Sequence, residues 1–288
     1  MAQEFDLVCR WMSEWFQVIP LHEAAERLAT GSLPPRAACI TFDDGYADNQ
    51  AVACPILLKH GLCATFFVAT GFLNGGRMWN DSITEIVRLT RREVLELSGP
   101  RLHGLKSVPV QTTADKRASL RALIQSIKYL QPSERADAVA ELLDAAGVSA
   151  HELPANLMMS SAQLRDLRNS GMQIGAHTVN HPILAKLNDG DAEREIGHSR
   201  ECLEGQLGER VGLFAYPNGR PGEDYGPRDV ALVKRLGFSA AVSTAYGVAQ
   251  ASTDRFQLPR FTPWDRSRLK FGLRLARQLA LGGASVVV

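Results

Sequence analysis

Ile-Thr-Phe-Asp-Asp-Gly is the sequence of residues 40–45, and His-Thr-Val-Asn-His-Pro is the sequence of residues 177–182. Each stretch marks the end of an apolar run that is typical of a buried strand. One carboxylate and two imidazoles form a ligand set for a borderline divalent metal such as zinc, with one coordination position left for water. The second carboxylate would stand beside the metal as a general base. Together the two stretches predict metal-assisted hydrolysis at the ends of two strands.

The geometry of such a site sets two conditions on the backbone. Successive side chains on a strand face opposite ways, so Asp43 and Asp44 can both face the site only if the strand has ended. Gly45 permits that break. His177 and His181 can reach one ion if the residues between them form a helical turn or a tight loop, and the following proline favours the loop. A capped acidic turn and a core imidazole are the alternative reading.

Short apolar runs alternate with amphipathic helical patterns along most of the chain. The predicted strands are Ala38–Phe42, Thr65–Ala69, Gln173–Ala176, Leu213–Tyr216, Ala240–Thr244 and Gln257–Phe261. The predicted helices between them are Ala51–His60, Ser161–Ser170, Ala192–Leu207 and Pro227–Leu236. This alternation predicts an α/β fold with a parallel sheet, as a barrel or a partial barrel. In such folds the chemistry gathers where the strands end.

Residues 78–157 interrupt this rhythm and predict a helical insertion within one domain that spans residues 1–288. Helical patterns cover Asp81–Leu97, Asp115–Leu130 and a third segment that begins at Pro132 and ends at Ala146. No strand is predicted in this stretch. A lid, a surface for a partner and extra structural packing all remain open as its role.

The composition fits an enzyme of the cytoplasm. The chain has 288 residues, 45% of them hydrophobic, and a net charge of +1, which gives no reason to expect nucleic acid as a partner. Five cysteines without a CxxC pair favour a reducing compartment. Neither a signal peptide nor an integral membrane segment is expected. The basic helical pattern from Leu269 would pack on the barrel or, as the weaker alternative, attach the protein peripherally to a membrane.

Four motifs of this sequence resemble those of the polysaccharide deacetylases, the NodB-homology or carbohydrate esterase family 4 group. Thr41–Gly45 and His177–Pro182 are similar to the first two motifs, Phe214–Gly219 to the third, and Leu258–Trp264 stands where the fourth is expected. The resemblance implies a distorted (β/α) barrel with fewer than eight units. It also implies one divalent metal ion, most often Zn²⁺, with Co²⁺ or Ni²⁺ as alternatives.

The resemblance also implies roles for individual residues. Asp44, His177 and His181 would hold the metal, and Asp43 would be the catalytic base that takes a proton from the attacking water. The backbone N–H of Asn218 would donate to the substrate carbonyl oxygen as that oxygen becomes negative.

The sequence departs from the family pattern in two places. Ala215 and Tyr216 stand where the third motif usually carries an arginine that orients the catalytic aspartate. Arg260, at the end of another predicted strand, is the candidate for that role on position alone, and a surface salt bridge is the alternative. The general-acid histidine of a late motif is missing too, because no histidine follows His198.

Four further residues are predicted to contact the sugar: Tyr216, Pro217, Trp79 and Trp264. The two tryptophans each lie in a motif-like loop, where an aromatic ring suits either sugar stacking or packing.

The expected function is therefore removal of acetyl groups from N- or O-acetylated oligo- or polysaccharide, in bacterial surface polysaccharide or exopolysaccharide biosynthesis. The segment Met78–Asp81 is similar to family members that accompany exopolysaccharide gene clusters, so polysaccharide-assembly proteins are expected partners. Hydrolysis of a cyclic amide or a formyl group on the same scaffold is one alternative. A carbohydrate-binding protein with weakened catalysis is the other.

Overall fold

The computed structural model describes residues 2–102, 104–262, 265–281 and 288. The chain divides into two compact units. The first unit combines Met1–Asn74 with Met158–Val288, and the second is Gly75–Leu157.

Helices and strands alternate in the first unit, and helices predominate in the second. The strands are β1 (Gln17–Val18), β2 (Ala37–Ala38), β3 (Thr41–Phe42), β4 (Thr65–Val68), β5 (Val94–Glu96), β6 (Ser107–Pro109), β7 (Gln173–Ala176), β8 (Leu213–Ala215), β9 (Ala240–Tyr246) and β10 (Leu258–Arg260). The α-helices are α1 (Ala2–Trp15), α2 (Leu21–Thr30), α3 (Cys54–Lys59), α4 (Trp79–Leu89), α5 (Thr113–Ile127), α6 (Pro132–Ala146), α7 (Ser161–Asn169), α8 (Asp189–Leu207), α9 (Pro227–Arg235) and α10 (Arg268–Leu281).

Six parallel strands form the central sheet of the first unit, in the order β10-β9-β8-β7-β4-β3. The strands β3 and β10 are therefore its two edges. The guanidinium of Arg260 in β10 nevertheless lies 2.7 Å from the carboxylate of Asp43, which directly follows β3. The sheet must curl for its two edges to meet in this way. The predicted distorted, incomplete (β/α) barrel is confirmed.

Apolar side chains cover both faces of this sheet, as parallel sheets require. On one face Phe66 stacks on Phe42 with ring centroids 4.6 Å apart, and helices α3, α7, α8 and α9 contribute buried residues to the same core. On the other face Phe67 packs with residues of β8 and β9 and with Leu21 of α2. This packing fixes the strands, and thereby the loops that follow them.

The boundaries differ from the sequence prediction at the first strand. The predicted strand Ala38–Phe42 is two short strands, because β2 pairs with β1 while β3 pairs with β4. The predicted helix Ala51–His60 begins as a π-helical turn at Asn49–Ala53 and continues as α3.

The second unit has its own apolar core, formed by residues of α4, α5 and α6 and of the antiparallel pair β5–β6. The prediction of one helix over Asp81–Leu97 is wrong beyond Leu89, and so is the prediction that this stretch holds no strand. In β5 and β6 a single buried residue, Leu95 or Val108, lies between two exposed neighbours. An alternation of three residues is too short to stand out in the sequence.

Among the described residues, no helix is both long enough and apolar enough to cross a membrane.

Two glycine-to-alanine substitutions, one in β7 and one in α8, are predicted to have opposite effects on the free energy of unfolding. A Cβ added at Gly175 of β7 would lie 2.4 Å from Cδ1 of the buried Phe67 ring, so Gly175→Ala should lower the free energy of unfolding by about 1–3 kcal/mol. Gly205 of α8 has no atom within 4 Å of an added Cβ, and Gly205→Ala should raise it by up to about 1 kcal/mol. Urea unfolding of both variants checks this, and equal stability of Gly175→Ala and the wild type would contradict it.

Candidate active site

Three potential metal ligands meet at the carboxyl end of the sheet. Asp44 follows β3 and His177 follows β7, and both strands are neighbours of β4. Oδ1 of Asp44 lies 3.4 Å from Nε2 of His177 and 3.3 Å from Nε2 of His181. One ligand atom from each of the three residues lies within 4.8 Å of the others. The structure thus brings together the three residues that the sequence predicts as metal ligands.

Unusual backbone conformations bring these side chains to one point. Asp44 has φ of 76° and is followed by Gly45 with φ of 88°, so β3 ends abruptly and both carboxylates turn into the site. Thr178 and His181 have φ of 64° and 51°. The hydroxyl oxygen of Thr178 accepts a hydrogen bond from the His181 N–H at 3.1 Å. The link between the two histidines is therefore a tight loop, not a helical turn.

Glu195 of α8 holds this loop from outside. Its carboxylate accepts hydrogen bonds from the backbone N–H of Val179 at 2.9 Å, from the backbone N–H of Asn180 at 2.8 Å and from the Asn180 side-chain amide at 2.7 Å. Sequence analysis missed this residue, because an acid in the middle of a polar helix looks like any solvent-facing charge. Only the fold places it on the histidine loop.

The orientation of His177 suits a metal ligand. Its Nδ1 lies 2.7 Å from the backbone carbonyl oxygen of Ala215, an atom that can only accept, so Nδ1 carries the proton. The other ring nitrogen, Nε2, is left to face Asp44. A histidine that donates from one nitrogen and presents the other is the usual arrangement in metal centres. One carboxylate and two imidazoles fit a divalent ion of the zinc type.

Asp43 lies beside this set and is bound by Arg260. The two carboxylate oxygens of Asp43 each accept a hydrogen bond from the guanidinium at 2.7 Å. Arg260 also donates to the Ser243 carbonyl at 2.8 Å and to the Thr41 hydroxyl at 3.3 Å. Burial alone would raise the pKa of Asp43, but Arg260, with the two histidines, outweighs burial and lowers it to about 2. The carboxylate is therefore ionised near neutral pH and able to accept a proton.

The loop after β8 carries the third motif. Asn218 has φ of 57°, and its carbonyl accepts a hydrogen bond from the Thr244 hydroxyl at 2.7 Å, which fixes the peptide. Within the described part of the chain, its N–H donates to no protein acceptor. Since β8 pairs with β7, this loop and His177 lie at the same end of the sheet.

The side chain of Tyr216 has a different role from the predicted one. Tyr216 is 0% exposed, and its ring stacks on that of Tyr225 with the ring centroids 3.9 Å apart. Its hydroxyl donates a hydrogen bond of 3.0 Å to the Phe256 carbonyl. Burial also raises the pKa of its hydroxyl well above the usual range. The prediction of a sugar contact through this ring is corrected, because the ring belongs to the core. Pro217 beside it is buried as well.

The two predicted sugar contacts of tryptophan side chains stay predictions. Trp79 belongs to the second unit, where it packs against that unit's apolar core and lies under the Arg135 guanidinium, 5.4 Å from the ring centroid. Trp264 lies outside the described residues.

The contacts of Glu195 predict that it supports metal binding without touching the metal. Glu195→Ala removes three hydrogen bonds from the histidine loop, and we expect the affinity for Zn²⁺ to fall about 10–100-fold, as when other ligand supports are lost. Titration calorimetry of the metal-free protein measures this. Glu201→Ala, an exposed acid on the same helix, is the matched control and should bind Zn²⁺ as the wild type does. Equal affinities for both variants would remove Glu195 from this role.

Comparisons with known proteins agree with this site. The family described as polysaccharide deacetylase matches residues 30–93 and 130–241, which is more than half of the chain and includes Asp43, Asp44, His177, His181 and Asn218. Arg260 lies outside the matched residues.

One curated relative is YxkH of Bacillus subtilis (strain 168), whose name carries a provisional polysaccharide deacetylase assignment. The two sequences are 20% identical over 260 residues. The match covers 90% of this chain but 63% of YxkH, so the chain spans less than two thirds of that relative's length.

Two solved structures share the fold. The deacetylase PplD of Streptococcus pyogenes, in complex with acetate, is 24% identical with a TM-score of 0.57, and the match covers 90% of this chain and 80% of PplD. IcaB of Ammonifex degensii is 18% identical with a TM-score of 0.58, over 96% of this chain and 88% of IcaB. With four sequence motifs, the sheet that carries them and the family match in agreement, the chain belongs to the polysaccharide deacetylase family.

Proposed function

We propose that this protein is a metal-dependent hydrolase that removes acetyl groups from N- or O-acetylated carbohydrate. The observation that carries the proposal is the carboxylate of Asp43, held at both oxygens by Arg260 next to three residues with the donor set of a zinc site. Family membership supports the substrate class.

The proposed chemistry divides between the metal and the protein. A metal held by Asp44, His177 and His181, with Zn²⁺ as the first candidate and Co²⁺ or Ni²⁺ as alternatives, supplies Lewis acidity and a water of lowered pKa. Asp43 accepts the proton of the attacking water. Arg260 keeps that carboxylate ionised and fixes both of its oxygens. The Asn218 N–H donates to the acetyl carbonyl oxygen as it becomes negative.

The leaving group needs a proton, and Asp43 is the group we assign to deliver it. Asp43 has taken a proton in the first step and can pass that proton to the departing amine or alcohol. This assignment removes the need for the late histidine that the sequence lacks. One carboxylate then serves both proton transfers.

The biological setting belongs to the same proposal. The resemblance around Met78–Asp81 supports a role in bacterial surface polysaccharide or exopolysaccharide biosynthesis, together with polysaccharide-assembly proteins. All five cysteines are free thiols, which supports a cytoplasmic location.

Acetate release tests the proposed activity. The wild-type protein loaded with Zn²⁺ should release acetate from at least one member of a panel of N- and O-acetylated oligosaccharides, and a chelator should abolish the release. His181→Ala should lose both bound metal and activity, because one of three ligands is gone. Asp43→Asn should keep the metal and lose at least about 100-fold in kcat, the lower range for a lost proton-transfer group.

A control variant and two possible outcomes show which part of the proposal a negative result contradicts. Asp48→Asn changes an exposed aspartate outside the site and should leave metal content and turnover unchanged. Normal turnover by Asp43→Asn would contradict the assignment of the base. Bound metal without acetate release from any sugar would favour the carbohydrate-binding alternative.

The contact between Arg260 and Asp43 predicts a separate effect on turnover. Arg260→Lys keeps the charge but cannot hold both carboxylate oxygens in one plane, so Asp43 is less well oriented. We expect kcat to fall about 100-fold while the Zn²⁺ content stays that of the wild type. Arg255→Lys, at an exposed arginine five residues earlier, is the control. A loss of metal in Arg260→Lys would show that the arginine supports the ligands instead.

A further inference from the structure

The last helix of the described chain exposes apolar side chains to solvent. The three most exposed large apolar residues among those described are Leu269 at 72%, Leu273 at 62% and Leu279 at 59%, and all three lie on α10. Leu269 and Leu273 are one turn apart and share a face of the helix. Single exposed leucines are ordinary on a protein surface. Three of them on one helix of 14 residues indicate an apolar surface that binds a partner or a membrane.

The opposite face of α10 is fixed to the protein, so the leucines cannot turn inward. Phe271 is 1% exposed, and its ring lies 5.6 Å from that of Trp11 and 5.9 Å from that of Trp15. Gln278 is also buried. The helix thus uses one apolar face to pack on α1 and presents a second one outward.

The charged residues of α10 and of the segment around it are all basic. From Arg266 to Val288 the sequence contains five basic residues and no acidic residue. Three of the five pair with acids that face them: Arg266 with Glu4, Arg268 with Glu14, and Arg274 with Asp265. The other two, Lys270 and Arg277, are exposed, and no described acid forms an ion pair with either. They flank the leucine face on one side.

We propose that α10 binds the surface of an anionic lipid bilayer. Leu269, Leu273 and Leu279 would enter the boundary between headgroups and acyl chains, with Lys270 and Arg277 at the level of the lipid phosphates. A helix with an exposed apolar stripe, flanking cations and no acid of its own has the features of an interfacial helix. The cations select an anionic bilayer over an apolar protein surface, because a protein partner of that kind offers them no counter-charge.

A cavity beneath the helix independently favours a lipid. It has a volume of about 880 Å³, lies wholly within the first unit and is lined mainly by apolar side chains, among them Trp11, Phe271 and Leu275. Leu279 lines this cavity as well and is 59% exposed, so it contacts both the cavity and the solvent. The same cavity reaches Arg260, the partner of Asp43. A membrane-bound α10 therefore places an apolar cavity between the bilayer and the residues of the proposed reaction. On the proposed function, acetylated sugar carried on a lipid would be within reach.

Vesicle binding tests the proposal without depending on activity. The 288-residue chain is sedimented with vesicles of phosphatidylcholine containing 30% phosphatidylglycerol, and with vesicles of phosphatidylcholine alone. We expect binding to the anionic vesicles that is at least tenfold tighter than to the neutral ones and that weakens in high salt. The double substitution Leu269→Glu with Leu273→Glu should abolish binding. Lys270→Gln with Arg277→Gln should weaken it about fivefold for each charge removed.

A matched control and a second measurement decide the outcome. Leu58→Glu replaces a half-exposed leucine on α3 and should bind vesicles as the wild type does. Thermal unfolding confirms that each variant is folded. The proposal would be overturned if the wild-type protein did not bind anionic vesicles. It would also be overturned if the variant with both Leu269→Glu and Leu273→Glu bound them as the wild type does. A dimer in light scattering that the leucine variant dissociates would overturn it too, since the face would then serve self-association.

Discussion

The ion pair between Arg260 and Asp43 links the two edges of the curled sheet and fixes the carboxylate that we propose as the base. It joins the strands at the two edges of the sheet, β10 and β3, and so marks where the curled sheet meets itself. A partly buried carboxylate without that partner would have a raised pKa and a tendency to be protonated. The same two hydrogen bonds therefore connect the two edges of the sheet, hold Asp43 in place and keep its carboxylate ionised.

The loops that carry the other site residues contain strained backbone conformations. Of the six non-glycine residues with positive φ in the described chain, four lie in the three site loops: Asp44, Thr178, His181 and Asn218. Each such residue costs of order 1 kcal/mol or more and persists only where its surroundings determine it. Here hydrogen bonds hold two of these loops in place. Glu195 binds the histidine loop, and the Thr244 hydroxyl donates to the Asn218 carbonyl. Strain of this kind concentrates where function fixes the side-chain directions.

Site residues that lie in short sequence motifs could be predicted from the sequence. Residues whose role depends on contacts between distant parts of the chain could not. The ends of β3 and β7 carry their ligands in short, recognisable strings, so the three candidate ligands could be predicted. The third-motif string also located Asn218, but it could not tell that the neighbouring Tyr216 faces the core. Position alone suggested Arg260, because its contact with Asp43 requires that residues 217 positions apart meet where the two edges of the curled sheet approach each other. Glu195 gave no signal, since its partners are backbone N–H groups that any loop possesses.

The supports of the candidate metal ligands and of the proposed base come from different parts of the fold. Ala215 of β8 orients His177, and Glu195 of α8 holds the loop to His181. Arg260, at the end of β10, holds Asp43 and donates a further hydrogen bond to the Ser243 carbonyl of β9. A change in one group need not disturb the other, because their hydrogen bonds share no atoms. If the proposed function holds, metal affinity and turnover can therefore vary separately, although Asp44 and Asp43, on which they would depend, are neighbours in the chain.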